Sequence, residues 1–214
     1  MKQLLFMALA SGCLSVHTMY AQQSSKRTVK LSKPDVTTVN RAYVADDKGM
    51  HLDARDGAGI AWLNKVAFTT GEIELDIRGK DAFQQSFVGI AFHGVNDSTY
   101  ESVYFRPFNF KATDSVRRVH AVQYIAMPLY DWPTLRNEHP GKYEKPLEPA
   151  PDPNAWFHVR LMINEDRIKV YVNGSSQPSL EVVPLTKEKG KKIGLWAGSG
   201  SAGNWKNLAI HDTP

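Results

Sequence analysis

The stretch Trp156-Phe157-His158-Val159-Arg160-Leu161-Met162-Ile163, followed by Arg167-Ile168-Lys169-Val170-Tyr171-Val172 and the pair Asn173-Gly174, decides the fold class. Apolar and polar residues alternate through both runs, which is the period of a strand, and Asn-Gly tolerates the positive φ of a turn. The same period recurs on either side. Clear runs are Gly71–Arg78, Phe87–His93, Tyr100–Phe105, Arg118–Ala126, Lys192–Ala197 and Trp205–His211, with weaker ones at Tyr43–Ala45, His51–Leu52 and Ile60–Leu63. No long segment holds a helical period, so the spacing predicts an all-β sandwich of two antiparallel sheets.

The N-terminus reads as a processing signal. Lys2 precedes an apolar run from Leu4 to Val16, and Ala21 before Gln22 offers a small residue for cleavage, so residues 1–21 are set apart from the fold. The run is too short for a membrane span, for which about 20 apolar residues are needed. A secreted or periplasmic location is expected. Cys13 lies in Leu9-Ala10-Ser11-Gly12-Cys13, which resembles a lipoprotein box, so lipid attachment there is the alternative. Cys13 is also the only cysteine of the 214 residues, so residues 22–214 hold no disulfide or thiolate chemistry and are expected to form one domain around an ordinary core. The net charge of +4 is dispersed apart from Arg117-Arg118 and Lys187–Lys192. That is too weak for a nucleic-acid partner, yet it suits an anionic ligand if arginines converge.

Between 127 and 154 the alternation stops, and Pro128, Pro133, Pro140, Pro146, Pro149, Pro151 and Pro153 predict one long loop. Tyr130, Trp132 and Tyr143 inside it either pin the loop to the sandwich or stack on a sugar ring.

Trp156–Arg160, Ile168–Gly174 and Lys192-Ile193-Gly194-Leu195-Trp196-Ala197-Gly198 resemble the closing strands of concanavalin A-like lectin/glucanase domains. They also resemble laminin G-like modules and small secreted sugar-processing domains of polysaccharide-utilisation systems in Bacteroidetes-type bacteria. Asn204–Ile210 is similar to the last strand of those domains, which returns beside the first. The resemblance implies a jelly-roll fold and a carbohydrate ligand, either oligosaccharide or polysaccharide. It leaves the activity open, because the scaffold hosts lectins, hydrolases and lyases.

In the laminarinase-like hydrolases of this class, strands similar to Gly71–Arg78, Phe87–His93 and Tyr100–Arg106 line the concave face, and the third carries Glu-x-Asp-x-x-Glu. Here it reads Tyr100-Glu101-Ser102-Val103-Tyr104-Phe105-Arg106, without the paired carboxylates that a retaining mechanism places about 5 Å apart. By alternation Glu101 points with Val103 and Phe105, and Tyr104 and Arg106 take the other side. Gly89, Ala91 and His93 are expected on the open face, where the two small residues leave room for a ligand. Val119, Ala121 and Ile125 are assigned to the core, leaving His120, Val122 and Tyr124 open; Gln123 fits that assignment poorly.

If these strands are neighbours, the residues suit elimination beside a uronate carboxylate. Arg106 would bind the carboxylate, with Gln123 and Trp132 as further substrate contacts. His93 or His120 would be the base, and Tyr104 or Tyr124 the proton donor. Jelly-roll alginate lyases use similar residue types, without matching spacing. The expected activity is therefore a lyase or dehydratase acting on acidic oligosaccharides. The alternatives are a binding module and a glycoside hydrolase using Glu72, Glu74 or Asp76, which otherwise form a solvated face. No cofactor or metal motif is present. A calcium site of the kind found in lectin relatives would gather oxygen ligands from loops, with Asp46-Asp47 and Asn96-Asp97 as candidate donors without diagnostic spacing.

Overall fold

A computed structural model describes residues 26–212; the expected signal segment and Cys13 lie outside the described residues. The chain forms β1 (Lys26–Thr28), β2 (Val36–Val39), β3 (Tyr43–Asp46), β4 (Gly49–Leu52), β5 (Gly59–Ala67), β6 (Gly71–Arg78), β7 (Val88–Gly94) and β8 (Tyr100–Phe105). Then come α1 (Pro107–Phe110), α2 (Ser115–Arg118), β9 (Val122–Met127), α3 (Trp132–Glu138) and β10 (Glu144–Lys145). Five strands close the sandwich: β11 (Phe157–Ile163), β12 (Ile168–Val172), β13 (Leu180–Val182), β14 (Lys192–Ala197) and β15 (Gly203–Asp212).

They build two antiparallel sheets. One runs β13-β12-β11-β6-β15-β4-β3 with β1 joined to β15, and the other runs β10-β9-β8-β7-β14-β5-β2. The last strand does return beside the first, Lys26 opposite His211. The Asn173-Gly174 turn also holds, both residues at positive φ.

Alternation places the core of the first sheet. Ile73, Leu75 and Ile77 of β6 and Phe157, Val159, Leu161 and Ile163 of β11 point inward and are buried. One cluster joins them to Val88, Ile90, Phe92, Val103 and Phe105 of the second sheet. Phe157 meets Phe105 and Phe110 edge-on at 5.1 and 5.3 Å between centroids, the preferred aromatic geometry. Removing its ring would destabilise the fold by about 3–5 kcal/mol.

The outer face of the first sheet carries Glu72, Glu74 and Asp76, and each is paired: Arg160 with Glu72 at 3.3 Å, Lys26 with Glu74 at 3.1 Å and His158 with Asp76 at 2.8 Å. They form a solvated face laced by cross-strand contacts, of which the Arg160 and Lys26 ion pairs are each worth at most about 1 kcal/mol. The grouping of β6 with β7 and β8 on one concave face is corrected, because β6 belongs to the opposite sheet.

Candidate functional site

β7, β8 and β9 are neighbours, as anticipated, but their faces are not all as anticipated. β9 begins at Val122, because Asp114 caps a helical turn at Ser115–Arg118 by accepting the Val116 N–H. Its register sets Gln123 opposite Tyr104 and Tyr124 opposite Val103. Gln123 therefore lies on the outer face with Tyr104, and Tyr124 points into the sandwich, the reverse of the expected parity. A bulge where β7 passes β14, with Phe92 and His93 spanning the place of Ile193, puts His93 at φ 51° and turns its ring inward too.

His93 and Tyr124 thus meet Glu101 between the sheets, on the core side where alternation had placed Glu101. The Glu101 carboxylate holds the His93 Nδ1 and accepts the Tyr124 hydroxyl, and both His93 and Glu101 are fully buried. His93 Nε2 donates to the Thr69 carbonyl at 2.6 Å, and the Leu185 N–H donates to the Tyr124 oxygen at 3.0 Å. Burial, then the Glu101 charge, raise the Tyr124 hydroxyl pKa. These side chains are closed off from solvent, so the assignment of His93 and Tyr124 to the open face is corrected.

The room expected over Gly89 and Ala91 is filled by aromatic rings. Tyr104 and Trp196 both register opposite Gly89 and close over it, 4.8 Å between centroids. A Cβ on Gly89 would lie 2.2 Å from the Val103 carbonyl oxygen and 2.6 Å from Tyr104 Cβ. Tyr104 is itself buried, which pushes its hydroxyl up to about 12, and that hydroxyl accepts from Arg106 Nη2 at 2.7 Å. It is poorly placed to give a proton to a leaving group.

One opening lined by several of the expected residues lies at one end of the second sheet. A cleft of about 530 Å³ is lined by the β6–β7 loop (Phe83, Phe87), the segment after β8 (Arg106, Phe108, Asn109), Arg117, His120, α3 (Trp132, Arg136) and the β14–β15 turn (Ser199, Gly200). That volume is within the range of small-ligand sites.

The wall bearing Trp132 comes from the supposed loop. Asp131 accepts the Thr134 N–H at 3.0 Å and Pro133 occupies the first turn, and together they start α3. Of the three loop aromatics, Tyr143 is buried against Tyr124, Tyr130 folds back on Ala126, and Trp132, 47% exposed, faces the cleft.

Arg136 holds Glu144 by two parallel bonds of 3.0 and 2.8 Å, and Glu144 Oε2 lies 3.8 Å from Arg106 Nη1 and 2.7 Å from His120 Nδ1. The His120 contact is close but not aligned as a hydrogen bond. Burial raises the Glu144 pKa, but Arg136 and His120 outweigh it and hold the carboxyl below its ordinary range. Burial lowers the His120 pKa against the pull of Glu144, so at neutral pH a neutral imidazole sits beside an ionised carboxylate.

Each cleft arginine is backed by a ring: Arg106 by Tyr104 at 4.9 Å, Arg117 by Phe83 at 4.5 Å and Arg136 by Trp132 at 4.8 Å. Of the expected site residues, Arg106, His120 and Trp132 line the cleft, and Gln123 and Tyr104 lie beneath it bound to Arg106. Sequence reasoning missed Glu144, Arg136, Asn109 and the Phe83, Phe87 and Phe108 rings. Arg117 was noticed only as half of a basic pair.

Three of the four proposed calcium donors are engaged locally. Asp46 accepts the Lys48 N–H, Asn96 those of Ser98 and Thr99, and Asp97 the Trp62 indole N–H. Among the described residues no group of three or more His, Cys, Asp or Glu side chains gathers as a metal site. Nor is any described helix long and apolar enough to cross a membrane.

No protein-family model matches the chain, and no curated relative matches it by sequence. Solved structures do. The carbohydrate-binding module CBM66 from Bacillus subtilis aligns with TM-score 0.60 at 15% identity, covering 83% of this chain and 96% of that one. A protein of unknown function with a galectin-like fold, also from Bacillus subtilis, aligns with TM-score 0.58 at 13% identity over 87% and 94%. The exoplasmic/lumenal domain of VIP36, in its Ca2+/Man3GlcNAc-bound form, gives 0.56 at 11% over 82% and 82%. The fold is a concanavalin A-like jelly-roll sandwich. At these identities the likeness reaches the backbone and stops there.

Proposed function

We propose that this protein binds an acidic carbohydrate in the cleft bounded by Arg106, Arg117, Arg136, His120 and Trp132. The observation that carries the reading is the charge and shape of that cleft: three ring-backed guanidinium groups and an exposed indole surround about 530 Å³, with the Glu144 carboxylate buried behind Arg106 and Arg136. Aromatic rings give a sugar its apolar faces, and arginine forks select carboxylate or sulfate oxygens. That a carbohydrate-binding module and the Man3GlcNAc-bound VIP36 domain share this fold agrees with this reading. Isothermal titration of residues 22–214 with uronate-containing, sulfated and neutral oligosaccharides tests it. Acidic members should bind more tightly, and the gap should narrow with added salt. Equal affinity for neutral and acidic members would refute it.

A second reading, elimination by a lyase or dehydratase, rests on His120 beside Glu144. A neutral imidazole with its Nδ1 side against a carboxylate leaves Nε2 to accept a C5 proton, while the neighbouring arginines neutralise the uronate. Of the four expected proton-handling residues only His120 reaches the cleft. An ultraviolet assay for a conjugated double bond decides it, and His120→Ala should abolish the signal. The secreted or periplasmic location belongs to the same proposal. Fractionation and N-terminal sequencing of the mature protein would find Gln22 first, or an acylated Cys13 if the lipoprotein route operates.

A further inference from the structure

Resting on the acidic-carbohydrate reading, we infer that Arg117 is the residue that receives the ligand's oxyanion, whether uronate carboxylate or sulfate ester, and that Arg106 and Arg136 form the scaffold around it. The three guanidinium groups differ in what already occupies them. Arg136 is spent on Glu144 through two parallel bonds. Arg106 is 5% exposed; its Nη1 donates to the His120 carbonyl and its Nη2 to Tyr104 and Gln123, with Glu144 close by.

Arg117 is half-buried, and among the described residues it has no carboxylate within salt-bridge distance. Its Nε donates to Asn109 Oδ1 at 3.2 Å and its Nη2 to the Phe108 carbonyl at 2.7 Å. Both partners are uncharged. Of the five N–H donors of a guanidinium, three remain, including both on Nη1, enough for a bidentate grip on an oxyanion.

The group is also preorganised. Phe83 lies 4.5 Å beneath its plane, which leaves the edge as the part offered to a ligand. Asn109, 4% exposed, donates its Nδ2 to the His120 carbonyl at 3.3 Å, the same oxygen that Arg106 holds at 3.0 Å. A continuous chain of bonds thus runs from Arg106 through His120 and Asn109 to Arg117. The buried arginine positions the free one.

The test titrates inorganic sulfate into the 15N-labelled protein at low ionic strength while following the arginine Nε–Hε resonances, assigned with Arg117→Gln and Arg118→Gln. In parallel, oligogalacturonate, its methyl-esterified form and a sulfated galactan oligosaccharide are titrated calorimetrically into the wild type and both variants. The Arg117 resonance should move saturably with sulfate. Arg117→Gln should reduce affinity for the charged saccharides at least ten-fold while leaving the esterified one unchanged, and the exposed Arg118→Gln should do neither. Whichever charged saccharide loses more identifies carboxylate or sulfate ester as the partner. Saturable movement of Arg117 with no saccharide bound by the wild type would sustain the oxyanion receptor and overturn the carbohydrate reading alone. The inference fails if sulfate moves other arginines and leaves Arg117 still, or if Arg117→Gln keeps the full preference for charge.

Discussion

Replacing Glu101 separates an interior scaffold from a catalytic group. Its carboxylate is fully buried, holds the imidazole of His93 and accepts the Tyr124 hydroxyl. Gln can still accept from Tyr124 and donate to His93 Nδ1, but it exchanges two charge-assisted bonds for neutral ones and leaves one N–H without a partner. That is a loss of about 2 kcal/mol. Ala strands both His93 Nδ1 and the Tyr124 hydroxyl in a dry interior, at roughly 1–3 kcal/mol each, and adds a cavity, for about 5 kcal/mol in all. In a chain of this length these correspond to falls in Tm of about 4–8 °C for Glu101→Gln and about 10–20 °C for Glu101→Ala. Differential scanning calorimetry measures both, and saccharide titration below the lowered Tm measures function. Unchanged affinity in Glu101→Gln, with the graded loss of Tm, is the expected result. Wild-type Tm in both variants with lost binding or turnover would refute the reasoning and return His93 and Tyr124 to the chemistry.

Three other outcomes are expected. Glu144→Gln should destabilise by about 2–3 kcal/mol, because it leaves buried Arg106 and bidentate Arg136 without their anion. Glu144 has a lowered folded pKa, so this difference should be full above its ordinary value of 4.5 and shrink as pH falls through the folded value; urea melts across pH 3–7 read it. Trp132→Ala should weaken saccharide binding about ten-fold, or about 1.4 kcal/mol, with Tm nearly unchanged because the ring is surface-borne; a titration paired with a thermal melt checks it. Gly89→Ala drives a methyl into the Val103 carbonyl and should cost at least about 3 kcal/mol, measurable by urea unfolding.

The sheets were legible because period-two alternation is enforced wherever one face is dry. β6, β8 and β14 match the expected ranges residue for residue, and β11 and β12 begin one residue later. Short β1, β2 and β13 carry too few residues for a period, and none was anticipated. Parity failed where the chain departs from regular pairing. The β7 bulge removes His93 from the outer face, and the helical turn before β9 shifts its inward set. Gln123 carried a usable warning, since a polar residue at a supposed core position marks a wrong register. The cleft was only half legible, because Arg136 and Glu144 sit on elements inside a segment that its prolines made look formless. Asp131-Trp132-Pro133-Thr134 already held a helix-start signal there.

Pairing of β1 with β15 sets Lys26 beside His211, whereas the turn just before Gly203, at the other end of β15, borders the cleft. Ten residues of strand separate these two places, about 30 Å. A support, dye or second copy joined near Lys26 or Asp212 would therefore be held away from the ligand, with the cleft facing outward. If the proposed saccharide binding holds, copies linked in tandem through these positions would engage neighbouring sugars of one polymer at once and gain avidity through linker length alone.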